Sequence, residues 1–390
     1  MRARRALLIV AVALIAGSCT SSTTTTSAQP STVPPPPTSA APPSPTDATL
    51  ADGTALPGGC SGKAVASETV AFVADGRAWA LDPKDAGHLA CLFRVRDPGS
   101  FAFGPQGDRV LLADLRVQAV SGDAPSLPPA GATPTVFDWG HPLGLAVVYA
   151  APSGQPEKRF MDTGKVEPLS SLPEGTYGSI AYHPSGLALG FIVDEGQRQG
   201  IWLSSNEGKD PQRLVFSRPD TTFSSVAFSP DGTRIYWIAQ HAGALSEIHW
   251  MELADRSTLQ TVLSRGLDPT ARGLQLAPAG PLMAATQGAS CEQEQAMVVD
   301  QDGAHPADPG SAEPTHALGW LDAKTLLVAE GGCGQTETLS MVRWLHGAGT
   351  VTPLVLGVDV GAPRTVLRNA PTEVPSPPNE APPAPPGGVG

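Results

Sequence analysis

Hydrophobic positions in this chain come in short runs, not in helical stripes. Val226 to Ser229 is a short apolar strand, Pro230-Asp231-Gly232 is a turn, and Arg234 to Ala239 is a second strand of β-forming residues. In such a turn Pro presets φ, Asp bonds local backbone and Gly accepts positive φ. Two further strands are predicted behind it, Glu247 to Leu253 and Leu259 to Leu263. The plan recurs. Phe101 to Gly107 precedes Arg109 to Ala113, Val136 to Pro142 precedes Leu145 to Tyr149, and Ile180 to Gly186 precedes Leu189 to Val193. Leu274 to Gly280 precedes Leu282 to Ala285, and Leu318 to Ala323 precedes Thr325 to Ala329. The turn slots fall at 105, 142, 184, 230, 278 and 322, a period of roughly 40–50 that with four short strands per unit describes propeller blades. Ahead of them, Thr69 to Val73, Arg77 to Leu81 and Leu89 to Val95 form three strands with no opening strand, and Arg364 to Leu367 is a spare strand at the far end. The expectation is an all-β, seven-bladed propeller of four-stranded antiparallel blades, one blade closed by both ends of the repeat region. Six blades with an irregular N-terminal sheet is the alternative.

Composition fits this reading. The 390 residues include 42 Gly and 41 Pro, which break long helices, and 41 % are hydrophobic, enough for a core. The net charge of −12 becomes more negative if a segment carrying Arg2, Arg4 and Arg5 is removed. An acidic body lacks the basic footprint that phosphate binding requires, so no nucleic-acid partner is expected.

The N-terminus reads as an address. Arg2, Arg4 and Arg5 precede eleven apolar residues, Ala6 to Ala16, too few to span a bilayer but suited to an export signal. Ala16-Gly17-Ser18-Cys19 resembles the bacterial lipobox, whose Cys is acylated and becomes the mature N-terminus; the family has Leu where Ala16 stands. An ordinary cleavable signal is the other reading. The expected organisation is a signal peptide over 1–18, a lipid-anchored, disordered Ser/Thr/Pro-rich linker over 19–54, the propeller over 55–368 and a disordered Pro-rich tail over 369–390. The expected location is the extracytoplasmic face of a cell membrane, with the membrane itself a partner through Cys19. The Gly/Pro/Ala-rich composition suggests a high-GC Gram-positive, actinobacterial envelope.

The Phe-Ser-Pro-Asp-Gly turn at 228–232 and its relatives resemble the TolB-type, WD40-like propeller repeats, over about residues 64–367. That resemblance implies partner binding in the envelope. On the propeller scheme, Cys291 and Cys333 follow the second strands of adjacent blades, while Cys60 lies just before the first blade and Cys91 in that blade's last strand. Of the three pairings open to four cysteines in an oxidising compartment, Cys60–Cys91 and Cys291–Cys333 are favoured.

Catalytic signatures are missing: no G-x-S-x-G, H-E-x-x-H or phosphate loop occurs. No cofactor, metal site or catalytic residue is expected. The eight His are scattered. His141 and His183 take matching turn slots before a Pro, and Trp139 and Trp320 end first strands, so these four are the candidate binding residues. Their alternative role is structural, as turn hydrogen bonding and blade packing. Asp138, Asp231 and Asp322 are expected to bond turn backbone. The functional expectation is a binding or scaffold module for an envelope protein, peptide or polymer. Alternatives are a secreted propeller enzyme, hydrolase or lyase, with a channel-mouth site, and a spacer or sensor serving a membrane protein.

Overall fold

Each turn slot reverses the chain and each apolar run pairs with the next, so neighbouring strands in sequence become neighbours in a sheet. The computed structural model describes residues 48–366 apart from 57–69, 85–88, 95–100, 105–108, 113–114, 120–126, 129, 131–135, 140–143, 152–153, 257–258, 264–265, 309, 332–335 and 359–364. The signal segment 1–18, Cys19, most of the linker, Cys60, His141, Cys333 and the tail lie outside the described residues.

In chain order the strands are β1 (Thr49–Leu50); β2 (Val70–Ala74), β3 (Arg77–Leu81) and β4 (Leu89–Arg94); β5 (Phe101–Phe103), β6 (Arg109–Leu112) and β7 (Val117–Ala119); β8 (Val136–Asp138), β9 (Ala146–Ala150), β10 (Pro156–Phe160) and β11 (Val166–Pro168); β12 (Thr176–Tyr182), β13 (Ala188–Asp194), β14 (Gln199–Ser205) and β15 (Gln212–Phe216); β16 (Thr221–Phe228), β17 (Arg234–His241), β18 (Glu247–Glu252) and β19 (Leu259–Leu263); β20 (Arg272–Leu276), β21 (Met283–Gln287), β22 (Gln295–Val299) and β23 (Ala304–Pro306); β24 (Thr315–Trp320), β25 (Thr325–Glu330), β26 (Glu337–Leu345) and β27 (Ala348–Val358); and β28 (Thr365–Val366). They form antiparallel sheets of a β-propeller. Five sheets have four strands, one has five (β1-β27-β26-β25-β24), and β5-β6-β7 has three among the described residues.

The seam is made by both ends of the repeat region. β28 pairs with β2, Val70 opposite Val366 and Ala71 opposite Thr365, and supplies the first strand that β2–β4 lack. One feature departs from expectation. β1 lies inside the segment assigned to the linker, yet it pairs with the outer edge of β27, and Ala48 and Leu50 are buried against the last sheet. Residues 48–50 therefore belong to the sheet and not to the expected linker, because the ladder and the apolar packing of Ala48 and Leu50 hold them despite their polar surroundings in sequence.

First strands of successive sheets pack on one another, β8 on β12, β12 on β16, β16 on β20, β20 on β24 and β24 on β28, so they form the inner ring. Second strands are covered on both faces by adjacent sheets. β2 and β9 are buried at every position and read as continuous apolar runs, whereas fourth strands such as β15 are largely uncovered. The core is accordingly a series of sheet-to-sheet interfaces. Ile192, Ile201 and Leu203 pack with Phe223, Phe228 and Trp237, and Ala284, Ala296 and Val298 pack with Trp320, Leu326 and Val342.

Inner strands carry a repeated bulge, at Tyr177/Ser179, Phe223/Val226, Arg272/Gln275 and Ala317/Gly319. A bulge frees backbone groups from the ladder. Here the neighbouring sheet takes them up: Ser179 Oγ accepts from Val226 N at 3.2 Å, Ser225 Oγ from Gly273 N at 2.8 Å, and Thr286 Oγ1 from Ala317 N at 3.1 Å. Away from a bulge, Asp138 also bonds across to the next sheet, accepting from Tyr182 N at 2.6 Å.

Candidate functional site

Because strands alternate in direction, the loops between second and third strands and the connectors between sheets emerge on one face, the connector face. The turns joining first to second and third to fourth strands emerge on the other, the turn face. Three of the four binding candidates from the sequence, His183, Trp139 and Trp320, are among the described residues; His141 is not. His183 sits in a first turn on the turn face and is 1 % exposed. Its Nδ1 is 2.7 Å from Ser185 Oγ and its Nε2 is 2.8 Å from the Gly232 carbonyl in the next sheet's turn. Its ring meets Phe228 edge-on at 5.1 Å. Burial holds its pKa below the ordinary 6.5, against a smaller upward pull from Gly232 O and Asp231. Gly232 has φ +70°, and a Cβ there would meet the His183 ring at 2.5 Å, so the turn glycine serves both backbone and neighbour. Trp139 is 5 % exposed among Leu111, Leu115 and Tyr149, and Trp320 is 1 % exposed among Ala284, Val298 and Leu326. Both tryptophans lie within sheet-to-sheet packing and not on a rim surface, because first strands end against the neighbouring sheet. The carboxylates Asp231 and Asp322 bind turn backbone: Asp231 accepts from Thr233 N at 3.0 Å, and Asp322 from Lys324 N at 2.8 Å and Thr325 N at 2.9 Å.

Ionisable groups converge on the connector face. The hairpin β17–β18 brings His241, at the end of one strand, beside Glu247 and His249 at the start of the next; Ala239 is opposite Glu247 and Trp237 opposite His249. Glu247 and His249 are two apart, so a strand puts them on one face. His241 Nε2 is 3.5 Å and His249 Nε2 3.0 Å from the same Glu247 oxygen, Oε2. Thr221 Oγ1 is 3.0 Å from His241 Nδ1 and itself donates to Asp220 Oδ1 at 3.3 Å. The His249 ring lies parallel to Trp237, centroids 5.9 Å apart and planes 19° apart. Burial lowers the His249 pKa, while Glu247 pulls it up and His241 and Arg218 push it down. All three side chains are half-buried in a cleft of about 260 Å³ between this sheet and the one before, also lined by Phe216, Arg218 and Phe223.

A second group lies one sheet on. Arg272, at the start of β20, pairs with Glu294, and His316 Nδ1, on the next inner strand, is 2.6 Å from Glu294 Oε2. Arg272 Nη1 also donates to Gly288 O at 3.1 Å. Sequence reasoning singled out neither histidine group. The only local signal was Glu-x-His at 247–249 in a strand; His241 and the Trp237 wall arrive through the hairpin register.

No protein-family model matches the chain, and no curated protein matches it. Among solved structures it is similar to a prolyl endopeptidase structure (14 % identity, TM-score 0.51), covering 74 % of this chain and 50 % of that one. It is also similar to TolB from Acinetobacter baumannii (13 %, TM-score 0.45), covering 76 % of this chain and 65 % of that one. A third is an oligogalacturonate lyase in complex with manganese (12 %, TM-score 0.46), covering 74 % and 83 %. The chain thus spans about two-thirds of the length of TolB and half of the endopeptidase. At these identities the likeness concerns the propeller fold alone.

Proposed function

We propose that this chain is an extracytoplasmic, lipid-anchored, TolB-type propeller that binds an envelope protein, peptide or polymer through its connector face. One observation carries the reading: Glu195, Arg218, His241, Glu247, His249, Arg272, Glu294 and His316, from four successive sheets, all sit at that end of the strands. Such a face offers both signs of charge on a rigid support, which suits recognition of a polar partner. The export-type segment and Cys19 support the location. Cross-linking the full chain in its native envelope, with Cys19→Ala as control, tests the reading. The expected result is one dominant partner linked through connector-face residues; links spread evenly over both faces, or none above the control, overturn it. A second reading, a hydrolase or lyase, is favoured by the His241–Glu247–His249 group. The two part on whether a captured partner is recovered intact or cleaved.

We also infer the disulfides Cys60–Cys91 and Cys291–Cys333. Cys91 is buried opposite Trp79 in the first sheet, and Cys291 opens a single 3-10 turn between β21 and β22; in sequence, Cys333 likewise follows the second strand of the next unit. Intact mass of the unreduced protein is expected four hydrogen atoms lighter than the reduced form, apart from any lipid; an equal mass overturns both bridges.

A further inference from the structure

A histidine that packs only for structure needs one hydrogen-bond partner per ring nitrogen and no particular relation to a second histidine. The β17–β18 hairpin shows more. Two imidazoles aim Nε2 at one carboxylate oxygen, at 3.5 and 3.0 Å, and the three ligand atoms lie within 4.8 Å of one another. Two ligands held about 2.0–2.1 Å from a tetrahedral zinc ion stand roughly 3.3 Å apart. The His–Glu distances bracket that edge length. Each ring is also held. Thr221 Oγ1 engages His241 Nδ1 and is backed by Asp220, the arrangement that fixes a ligating imidazole's tautomer and leaves Nε2 with its lone pair. Trp237 fixes the plane of the His249 ring. The set is two imidazoles and one carboxylate, ligand chemistry suited to zinc-class ions and not to calcium or magnesium, which take oxygen donors.

We propose that His241, Glu247 and His249 bind one divalent transition-metal ion of the zinc class, with a coordination position left open toward the cleft lined by Phe216, Arg218 and Phe223. Three protein ligands and an open position are the plan of sites that take water or an exogenous ligand. The proposal is independent of the partner reading above, since it needs no partner.

The test uses the full chain, stripped with a chelator and titrated with Zn²⁺ against a chromophoric competitor. One equivalent is expected to bind. His249→Gln and Glu247→Gln are each expected to weaken binding at least a hundredfold, and Thr221→Val by about tenfold, in the range for loss of a supporting hydrogen bond. His316→Gln, in the neighbouring Glu294 group, is expected to leave the affinity unchanged. Co²⁺ supplies an independent readout in the unaltered protein: intense visible bands of a four- or five-coordinate ion, and quenching of tryptophan emission that shrinks in Trp237→Phe. Unaltered Zn²⁺ affinity in His249→Gln, or a Co²⁺ spectrum of the octahedral aqueous type, overturns the proposal. So does binding lost equally in His316→Gln, which would mark adventitious histidine binding.

Discussion

His183 and His249 belong to neighbouring sheets and are both largely buried, with pKa values pushed down first by that burial. Their surroundings differ by face. His183, on the turn face, spends both ring nitrogens on the turn system, one on Ser185 of its own turn and one on Gly232 O of the next. His249, on the connector face, looks at Glu247 and shares it with His241. The difference follows from chain geometry. The turn-face loops 183–187 and 229–233 are tight reversals whose backbone groups need local satisfaction, so polar side chains are consumed there. The connector face carries the links between sheets beside the hairpins that join second to third strands, so side chains from different strands meet each other there. In a propeller of this kind, a histidine's face says more about its role than its burial does.

Breaking the interior that both faces rest on should have the largest effect. Trp320→Ala removes a 1 %-exposed indole from the interface between the β20–β23 sheet and the five-stranded sheet, and should lower stability by about 3–5 kcal/mol, read as a fall in the urea midpoint. A near-neutral result would return Trp320 to the candidates for a rim contact. Next, Gly232→Ala puts a Cβ 2.5 Å from the His183 ring at φ +70°. A loss of about 1–3 kcal/mol is expected from strain and displaced packing. If Gly232→Ala is silent, the turn face is looser than the His183 bridge implies.

His183→Asn sharpens the comparison through pH. A histidine whose folded pKa lies below its unfolded value contributes stability that is present above about pH 6.5 and is lost as pH falls toward the folded pKa, because the unfolded chain binds the proton first. The melting temperature of the unaltered protein should therefore drop between about pH 7 and 5, and part of that slope should vanish in His183→Asn. An unchanged slope would assign the effect elsewhere. Ser225→Ala leaves Gly273 N without its 2.8 Å acceptor; about 1 kcal/mol is expected, measured by denaturant unfolding. The smallest effect is on the surface: Lys209→Ala breaks an ion pair with Glu207 in which both side chains are exposed, and no measurable change in melting temperature is expected.

The strand plan was largely legible. Arg77–Leu81 and Leu259–Leu263 form the strands that their residue patterns predict, and the spare strand near Arg364–Leu367 does complete the first sheet. These features depend on local chemistry, the turn residues and the apolar runs, which a sequence carries openly. β1 was missed because two residues in a Thr/Ala-rich stretch have no pattern of their own; only the free edge of β27 makes them a strand. The Trp139 and Trp320 rings were placed near a rim because the end of a strand looks peripheral in sequence, while in the propeller a neighbouring sheet covers it.

The sequence by itself determined that this chain is built from repeated short strands and that it alternates reversal and run with a period fit for blades. Those properties follow from φ preferences and from burial of each strand on its neighbours, interactions within about one repeat length. The tertiary structure alone decided which polar groups meet. His241 faces Glu247 and His249 through hairpin register, Thr221 reaches His241 from an inner strand, and Arg272 and His316 share Glu294 across two sheets. Such meetings depend on register and on the packing of one sheet against the next, and no spacing along a single strand records them.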